Sequence, residues 1–247
     1  MGEVGEINYK EIIRSRPQKR ETSFYFSWEV WKNYLIYGYS QLFVIGPQGM
    51  GKTRFAMLCA YEIYGDWDYV LQHLFFDPYP AFREMRKVRH TGQRIPLIIF
   101  DDAGLHFSKY LIATGREGYY KAMLINYLFN VIRSMVSGVI LTSPDDDILK
   151  ELRKKSWLRG QPWTVRGLFD PVREMHYYRI RLDILGRQRP KKLMDIDRYH
   201  LNSIPQDVAE EYEEKRWEAI DDLWELIEAV FQKVEEGRGD KLWISDY

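Results

Sequence analysis

Cysteine is nearly absent from this chain, because Cys59 is the only one among 247 residues. A single cysteine excludes an intramolecular disulfide framework and favours a reducing, intracellular setting. Long hydrophobic runs are absent as well, since no apolar run approaches the ~20 residues that cross a bilayer. The N-terminus shows no signal-peptide pattern. These absences predict a cytoplasmic protein without a membrane partner.

Net charge is also lacking, because 36 Lys and Arg residues balance 36 Asp and Glu residues. The charges are unevenly distributed. Residues 150–192 contain 13 basic and 4 acidic residues, whereas residues 205–236 contain 3 basic and 12 acidic residues. A neutral protein with segregated charge can present a basic face to a polyanion. The alternative is two solvated surfaces that pair with each other.

The strongest motif is a glycine-rich loop at residues 46–53. Its sequence, GPQGMGKT, follows the pattern GxxxxGK[ST], and a short apolar run precedes it. Between a strand and a helix, the backbone N–H groups of such a loop wrap nucleotide phosphates. Lys52 is expected to reach the β- and γ-phosphates, and Thr53 to ligate Mg²⁺. We therefore predict ATP and Mg²⁺ binding through these residues: Gly46, Pro47, Gln48, Gly49, Met50, Gly51, Lys52, Thr53 and Arg54.

Short apolar runs alternate with segments of helical periodicity through the first 160 residues. Strands are predicted at 42–45, 70–76, 96–100 and 138–142, and helices at 55–64, 81–90, 119–136 and 145–155. This alternation is typical of an α/β fold, here a three-layer P-loop NTPase core with a mainly parallel sheet. β ribbons with a turn at Gly186 are predicted at residues 163–196. A long acidic C-terminal helix is predicted to extend to about residue 236. The predicted domains are a basic arm (1–21), the ATPase core (22–160) and an extension (161–247).

Two adjacent acids end the third predicted strand. The apolar run 97–100 leads into Asp101 and Asp102, which places a carboxylate at the C-terminal edge of the sheet, beside the glycine loop. We expect Asp101 to hold Mg²⁺ through water and Asp102 to orient the attacking water. A helix N-cap pair is the alternative. The next strand ends in Thr142-Ser143, which resembles the additional-strand class of ATPases and implies that Ser143 senses the γ-phosphate.

The acidic strand also resembles a narrower group. Residues 97–104, LIIFDDAG, are similar to the hydrophobic-Asp-Asp motif of replication-initiator and helicase-loader ATPases of the AAA+ superfamily. The chain resembles still more the initiator-like ATPases of archaeal spindle-shaped viruses and plasmids, and the resemblance covers roughly residues 40–216, most strongly at the glycine loop and the Asp-Asp strand. The segments that carry this closer resemblance are 94–104, 108–110, Ile204-Pro205, Tyr212 and 214–216. The resemblance implies ATP-driven work on DNA in the host cytoplasm, with a replicative helicase or another replication protein as a partner.

The chain departs from the AAA+ pattern in its C-terminal third. AAA+ proteins usually carry a helical lid with a second sensor arginine after the core. Here β ribbons and one acidic helix are predicted in that place. No C-terminal helix-turn-helix is visible, so DNA contact is expected to come from the core.

An arginine finger is a further implication of the resemblance. The basic cluster LRKKSWLRG at 152–160 lies where initiator-like ATPases carry theirs, and Arg153 and Arg159 are both candidates. A surface charge is the alternative for each. A finger that acts on a neighbour's nucleotide implies a homo-oligomer assembled through the ATP interface.

A second basic cluster lies between the second and third predicted strands, where initiators place DNA-contacting insertions. Five basic groups near one loop could neutralise several phosphates. A solvated helix is the alternative. The cluster consists of Arg83, Arg86, Lys87, Arg89 and Arg94.

These observations favour an initiator- or loader-type ATPase that acts on DNA. A DNA-translocating motor of the packaging type is the second hypothesis, because such motors share the glycine loop, the acids and the sensor. A nucleotide kinase is a third hypothesis, which the paired Asp101-Asp102 disfavours.

Overall fold

The computed structural model describes residues 8–14, 23–103, 107, 115–149, 152, 156–182 and 188–235. Helices and strands alternate through the first half of this part of the chain. The helices are α1 (Tyr9–Arg14), α2 (Tyr25–Leu35), α3 (Lys52–Tyr64), α4 (Trp67–Gln72), α5 (Pro78–Val88), α6 (Gly115–Val131) and α7 (Gln206–Glu235). The strands are β1 (Ser40–Ile45), β2 (Leu74–Phe75), β3 (Ile95–Phe100), β4 (Val136–Ser143), β5 (Leu158–Thr164), β6 (Val172–Leu182) and β7 (Gln188–His200).

All seven strands belong to one sheet with the order β2-β3-β4-β1-β5-β6-β7. The first five are parallel to their neighbours, while β6 and β7 are antiparallel. The mainly parallel α/β sheet that the sequence predicts is therefore confirmed. β4 lies between β1 and β3, so the glycine-loop strand and the Asp-bearing strand are separated by an inserted strand.

Helices pack on both faces of this sheet. Gly138 of β4 faces Val30 of α2 and Leu97 of β3. Phe100, three residues further along β3, contacts Phe129 of α6, with ring centroids 6.0 Å apart. Alternate strand residues point to opposite faces, so α2 and α6 lie on opposite sides. β1, β3 and β4 are buried along their whole length, as continuous apolar runs require.

The predicted strand at Val70–Phe76 is largely wrong. Residues 67–72 form α4, and the strand is reduced to Leu74–Phe75. The side chain of Asp66 accepts hydrogen bonds from the backbone N–H groups of Asp68 and Tyr69 and starts the helix. A short apolar run is compatible with either structure, and here the N-cap decides.

The C-terminal part of the chain continues the central sheet through β5, β6 and β7. β5 starts at Leu158 and pairs in parallel with β1, so the predicted boundary between residues 160 and 161 falls inside this strand. Residues 145–149 of the helix predicted at 145–155 are not helical. The predicted turn at Gly186 lies outside the described residues. In the predicted N-terminal arm, α1 buries Tyr9 and Ile13.

Among the described residues, none of the helices has both the length and the apolar composition that a membrane span needs.

Candidate functional site

The glycine-rich loop joins the end of β1 to the start of α3. Gly49 and Gly51 have φ angles of 75° and 81°, a left-handed conformation that side chains other than glycine rarely adopt. A Cβ atom at Gly51 would also lie 2.3 Å from Cδ2 of Leu201. No side chain caps the N-terminus of α3. Its free N–H groups and the helix dipole favour an anion at this point.

Lys52 is the first residue of α3 and its ammonium group lies inside the loop. Nζ donates hydrogen bonds to the backbone carbonyls of Gly46, at 2.8 Å, and Pro47, at 3.0 Å. Burial lowers the pKa of this amine, while the nearby charges of Asp102 and Asp101 oppose that shift. The loop therefore holds a cation beside the anion-binding end of α3.

Asp101 is the centre of a buried hydrogen-bond cluster. Its side chain is 1% exposed. Thr53 Oγ1 lies 2.8 Å and 3.0 Å from the two carboxylate oxygens of Asp101. Thr142 Oγ1 donates to Oδ1 at 2.5 Å, and the Tyr212 hydroxyl donates to Oδ2 at 2.7 Å. A hydroxyl and a carboxylate are oxygen ligands of the kind that Mg²⁺ prefers, so Thr53 and Asp101 fit a magnesium site.

Asp102 points away from that cluster. Its φ angle is 47°, and its backbone N–H donates to Thr142 Oγ1 at 3.1 Å. Arg216 Nη2 lies 3.6 Å from Oδ2 of Asp102. Burial and the charge of Asp101 raise the pKa of this carboxyl, while Arg216 and Lys52 hold it down. A carboxylate with a raised pKa is the stronger proton acceptor once it is ionised.

Tyr212 and Arg216 are functional candidates that sequence reasoning misses. Both lie on α7, one turn apart, and they contact Asp101 and Asp102 respectively. The sequence predicts an acidic helix here in the place of the AAA+ lid, without a sensor arginine. No local sequence pattern predicts that this C-terminal helix returns to the end of β3, where it contacts the two acids.

A cavity of about 400 Å³ lies over the loop. Its polar side includes Lys52, Thr53, Asp102 and Arg216, and its apolar side is formed by Met57 and three residues that follow β7. Such a combination suits a ligand with charged and apolar parts. The three residues after β7 are Leu201, Ile204 and Ala209, and the remaining lining residues are Gln48, Gly49, Gly51, Arg54, Tyr212 and Glu213.

The end of β7 and the residue that follows it are tied to the loop and α3 by two side chains. The Tyr199 hydroxyl donates to the carbonyls of Met50 and Gly51, each at 3.3 Å. Arg54 Nη1 donates to the carbonyl of Leu201 at 2.7 Å. The C-terminal extension is therefore part of the wall of the cavity.

The other predicted site residues are placed as follows. Ser143 Oγ is buried and has no hydrogen-bond partner among the described residues, while its neighbour Thr142 contacts Asp101. Arg159 lies in β5 opposite Phe43 and does not line the cavity. Arg153, residues 104–106 and residues 108–114 lie outside the described part of the chain.

Arg94 is a structural cation and not part of an exposed basic cluster. Its guanidinium group is 4% exposed and donates to the backbone carbonyls of Asn33, Gly38, Arg133 and Val136. The prediction that it contacts DNA is wrong, because the side chain is buried among backbone carbonyl groups of residues 33–38 and 133–136. The other four basic residues of that cluster are exposed on α5 or just after it: Arg83, Arg86, Lys87 and Arg89.

Comparison with known proteins finds relatives in two archaeal viruses. The chain is 38% identical over 131 residues to the uncharacterized protein B-251 of Sulfolobus spindle-shape virus 1, which is 49% of each chain. It is 36% identical over 149 residues to the uncharacterized protein ORF286 of Acidianus two-tailed virus, or 59% of this chain and 51% of the relative. This chain thus spans about half the length of these relatives. The predicted relationship to archaeal virus proteins is confirmed.

No model of a known protein family matches the chain. Among solved structures, the N-terminal domain of zonular occludens toxin from Neisseria meningitidis is similar at a TM-score of 0.37 and 13% identity. That likeness covers 64% of this chain and 96% of the toxin domain.

Proposed function

We propose that this protein is a Mg²⁺-dependent ATPase. The contact between Thr53 and the buried Asp101 carboxylate, beside Lys52, is the observation that carries the proposal. The loop N–H groups and Lys52 would bind the β- and γ-phosphates. Thr53 and Asp101 would hold Mg²⁺, which neutralises charge on those phosphates. The inserted position of β4 between β1 and β3 also supports an additional-strand ATPase.

Asp102 and Arg216 would act on the transferred group itself. The oxygen of water attacks the γ-phosphorus, the bond to the bridging oxygen breaks, and ADP leaves. Asp102 orients that water and accepts its proton. Arg216 lines the same cavity and stabilises negative charge that spreads over the phosphoryl oxygens.

Asp102→Asn should cut ATP turnover by about 10²–10⁴-fold, because asparagine keeps the shape but cannot accept the proton. Binding of ATP with Mg²⁺ should persist, since Lys52, Thr53 and Asp101 remain. Phosphate release measures the first and titration with a fluorescent ATP analogue measures the second. Asp68→Asn, an exposed acid in α4, is the matched control. Normal turnover of the Asp102 variant would show that the pair has been misread.

We further propose that the ATPase acts on DNA, as an initiator or a helicase loader for a virus or plasmid, with a replicative helicase or another replication protein as a partner. The exposed basic face of α5 supports a contact with phosphates. It also supports the packaging-type motor, which strong stimulation of hydrolysis by long duplex DNA would favour. Transfer of phosphate from ATP to a nucleoside monophosphate would instead establish a nucleotide kinase.

Replacing Arg86, Lys87 and Arg89 together with alanine should weaken duplex DNA binding. The slope of log affinity against log salt should flatten by roughly 0.9 for each phosphate that the variant no longer neutralises. Fluorescence anisotropy at several salt concentrations measures both quantities. A variant with Lys10, Lys32 and Arg133 replaced removes the same charge from other surfaces and should keep the slope. An unchanged slope in the α5 variant would exclude this face as the duplex site.

A further inference from the structure

The sheet surface formed by β5, β6 and β7 on the α6 side is called the outer face. β5 and β6 bury alternate residues: Leu158, Gly160, Met175 and Tyr177 are buried. The side chains between them point the other way. The outer-face residues of these two strands are Arg159, Gln161, Trp163, Glu174, His176 and Tyr178.

Three aromatic rings form a row across the outer face. The ring centroids of Trp163 and His176 are 5.6 Å apart, and those of His176 and Tyr178 are 6.5 Å apart. Trp163 is 47% exposed. Trp163 on β5 lies opposite Glu174 of β6, which is two residues before His176. The row therefore crosses diagonally from Trp163 to His176 and continues along β6 to Tyr178. Flat rings at such spacing offer stacking surfaces to other planar groups.

The loop between β5 and β6, residues 165–171, begins two residues after Trp163 and is called the tip. Leu168 is 71% exposed and Phe169 is fully exposed. Beneath them the buried guanidinium group of Arg173 donates to the carbonyls of Leu168, at 2.9 Å, and Asp170. The exposed aromatic ring is therefore carried by a backbone that is held from inside, which lowers the entropic cost of binding.

Basic side chains accompany the rings. Arg159 lies opposite Tyr178 on the outer face, and Arg166 is exposed in the tip. The acids are engaged locally. Glu174 contacts Arg198 and His176, Asp170 accepts from the backbone of Val172, and Asp197 is buried. A surface that combines basic groups with stackable rings complements phosphates joined to exposed bases.

We propose that the outer face and the tip bind single-stranded nucleic acid, with bases stacked on Trp163 and Phe169. A duplex hides the faces of its bases, so rings can stack only on an unpaired strand or a splayed end. This inference deepens the proposed action on nucleic acid. The single-strand site lies on a surface other than α5, and binding there does not depend on ATP hydrolysis. The single-strand site and the proposed function can therefore fail separately.

The test compares two double variants of the full chain. Trp163→Ala/Phe169→Ala removes the stacking rings, and Trp224→Ala/Phe231→Ala removes the same two ring types from exposed positions on α7. Each is titrated, without ATP, against labelled oligothymidylate and oligouridylate of about 20 nucleotides, longer than the ~4–16 nucleotides of known sites. A duplex of about the same length is the third ligand. The two single strands separate DNA from RNA as the natural ligand.

The first variant should bind a single strand at least about 10-fold more weakly, since one stacked base contributes about 5- to 150-fold in affinity. The α7 variant should bind like the native chain. Native binding should quench tryptophan fluorescence, and that quenching should disappear when Trp163 is replaced. Equal affinity of the two variants would overturn the proposal. Weaker self-association of the first variant, with unchanged oligonucleotide affinity, would also overturn it and assign the face to a second copy. If the α5 variant lost oligonucleotide binding while the Trp163/Phe169 variant kept it, the proposed binding surface would also be contradicted.

Discussion

Replacement of Lys52 by alanine is expected to abolish ATP hydrolysis, with a decrease of about 10³-fold or more. Removal of one preorganised donor at a developing charge already costs about 10²–10³-fold, and Lys52 carries a full positive charge. The ammonium group is held 2.8 Å from the carbonyl of Gly46, inside the loop that would receive the phosphates. Binding of ATP should weaken as well, because the phosphates no longer meet their nearest cation.

Phosphate release and titration with a fluorescent ATP analogue measure these two effects. Because Lys52 also ties the loop together, the melting temperature of the variant should be recorded beside its activity. Lys32→Ala, which removes a lysine that pairs with Glu29 on α2, is the control and should hydrolyse ATP normally. Unchanged turnover in folded Lys52→Ala protein would contradict the proposed ATPase.

Removal of the proposed arginine finger should lower turnover by about 10³–10⁵-fold while leaving nucleotide binding nearly intact. The γ-phosphate end of a P-loop site lies at the edge of the sheet, where a neighbour's arginine can close it. Arg159 is absent from the lining of its own chain's cavity, as an arginine that acts in trans must be. Arg153, the other candidate, is replaced in the same variant.

The decisive measurement is a mixture. Arg153→Ala/Arg159→Ala protein lacks the finger, and Lys52→Ala protein lacks a working loop, so each should be inactive alone. In a mixed oligomer, an intact loop meets an intact arginine and part of the activity should return. A mixture of the finger variant with a Lys52→Ala/Arg153→Ala/Arg159→Ala chain measures the background, because neither chain then supplies a finger. A mixture that stays inactive, from chains that remain monomeric with ATP and DNA, would leave the homo-oligomer and its finger without support.

The central strands and the glycine-rich loop were predictable because their signals are local. β3 was expected from residue 96 and begins at Ile95, since six consecutive buried positions require a continuous apolar run. The loop is recognised from eight adjacent residues. The acids at 101 and 102 follow from where that strand ends, and the structure brings the first of them to Thr53.

The rest depends on contacts between distant residues. Tyr212 reaches Asp101 across 111 positions, and no pattern in α7 predicts that partner. Arg94 reads as a surface charge in sequence, but backbone carbonyls from other segments surround it. The strand predicted where α4 lies has another origin. A short apolar run fits a strand and a helix equally well, and only the N-cap Asp66 indicates the helix.

The position of α7 has a consequence for the order in which the parts of the candidate site can form. The loop and the acids lie within the first 102 residues, whereas Tyr212 and Arg216, which contact the acids, come after β5, β6 and β7 in the chain. Contacts of such sequence separation close large loops, and the entropy of closure must be overcome before they contribute. During synthesis from the N-terminus, the binding loop can therefore form well before the cavity is complete. Because α7 is synthesised long after the loop, the candidate site is complete only when the C-terminal part of the chain has folded.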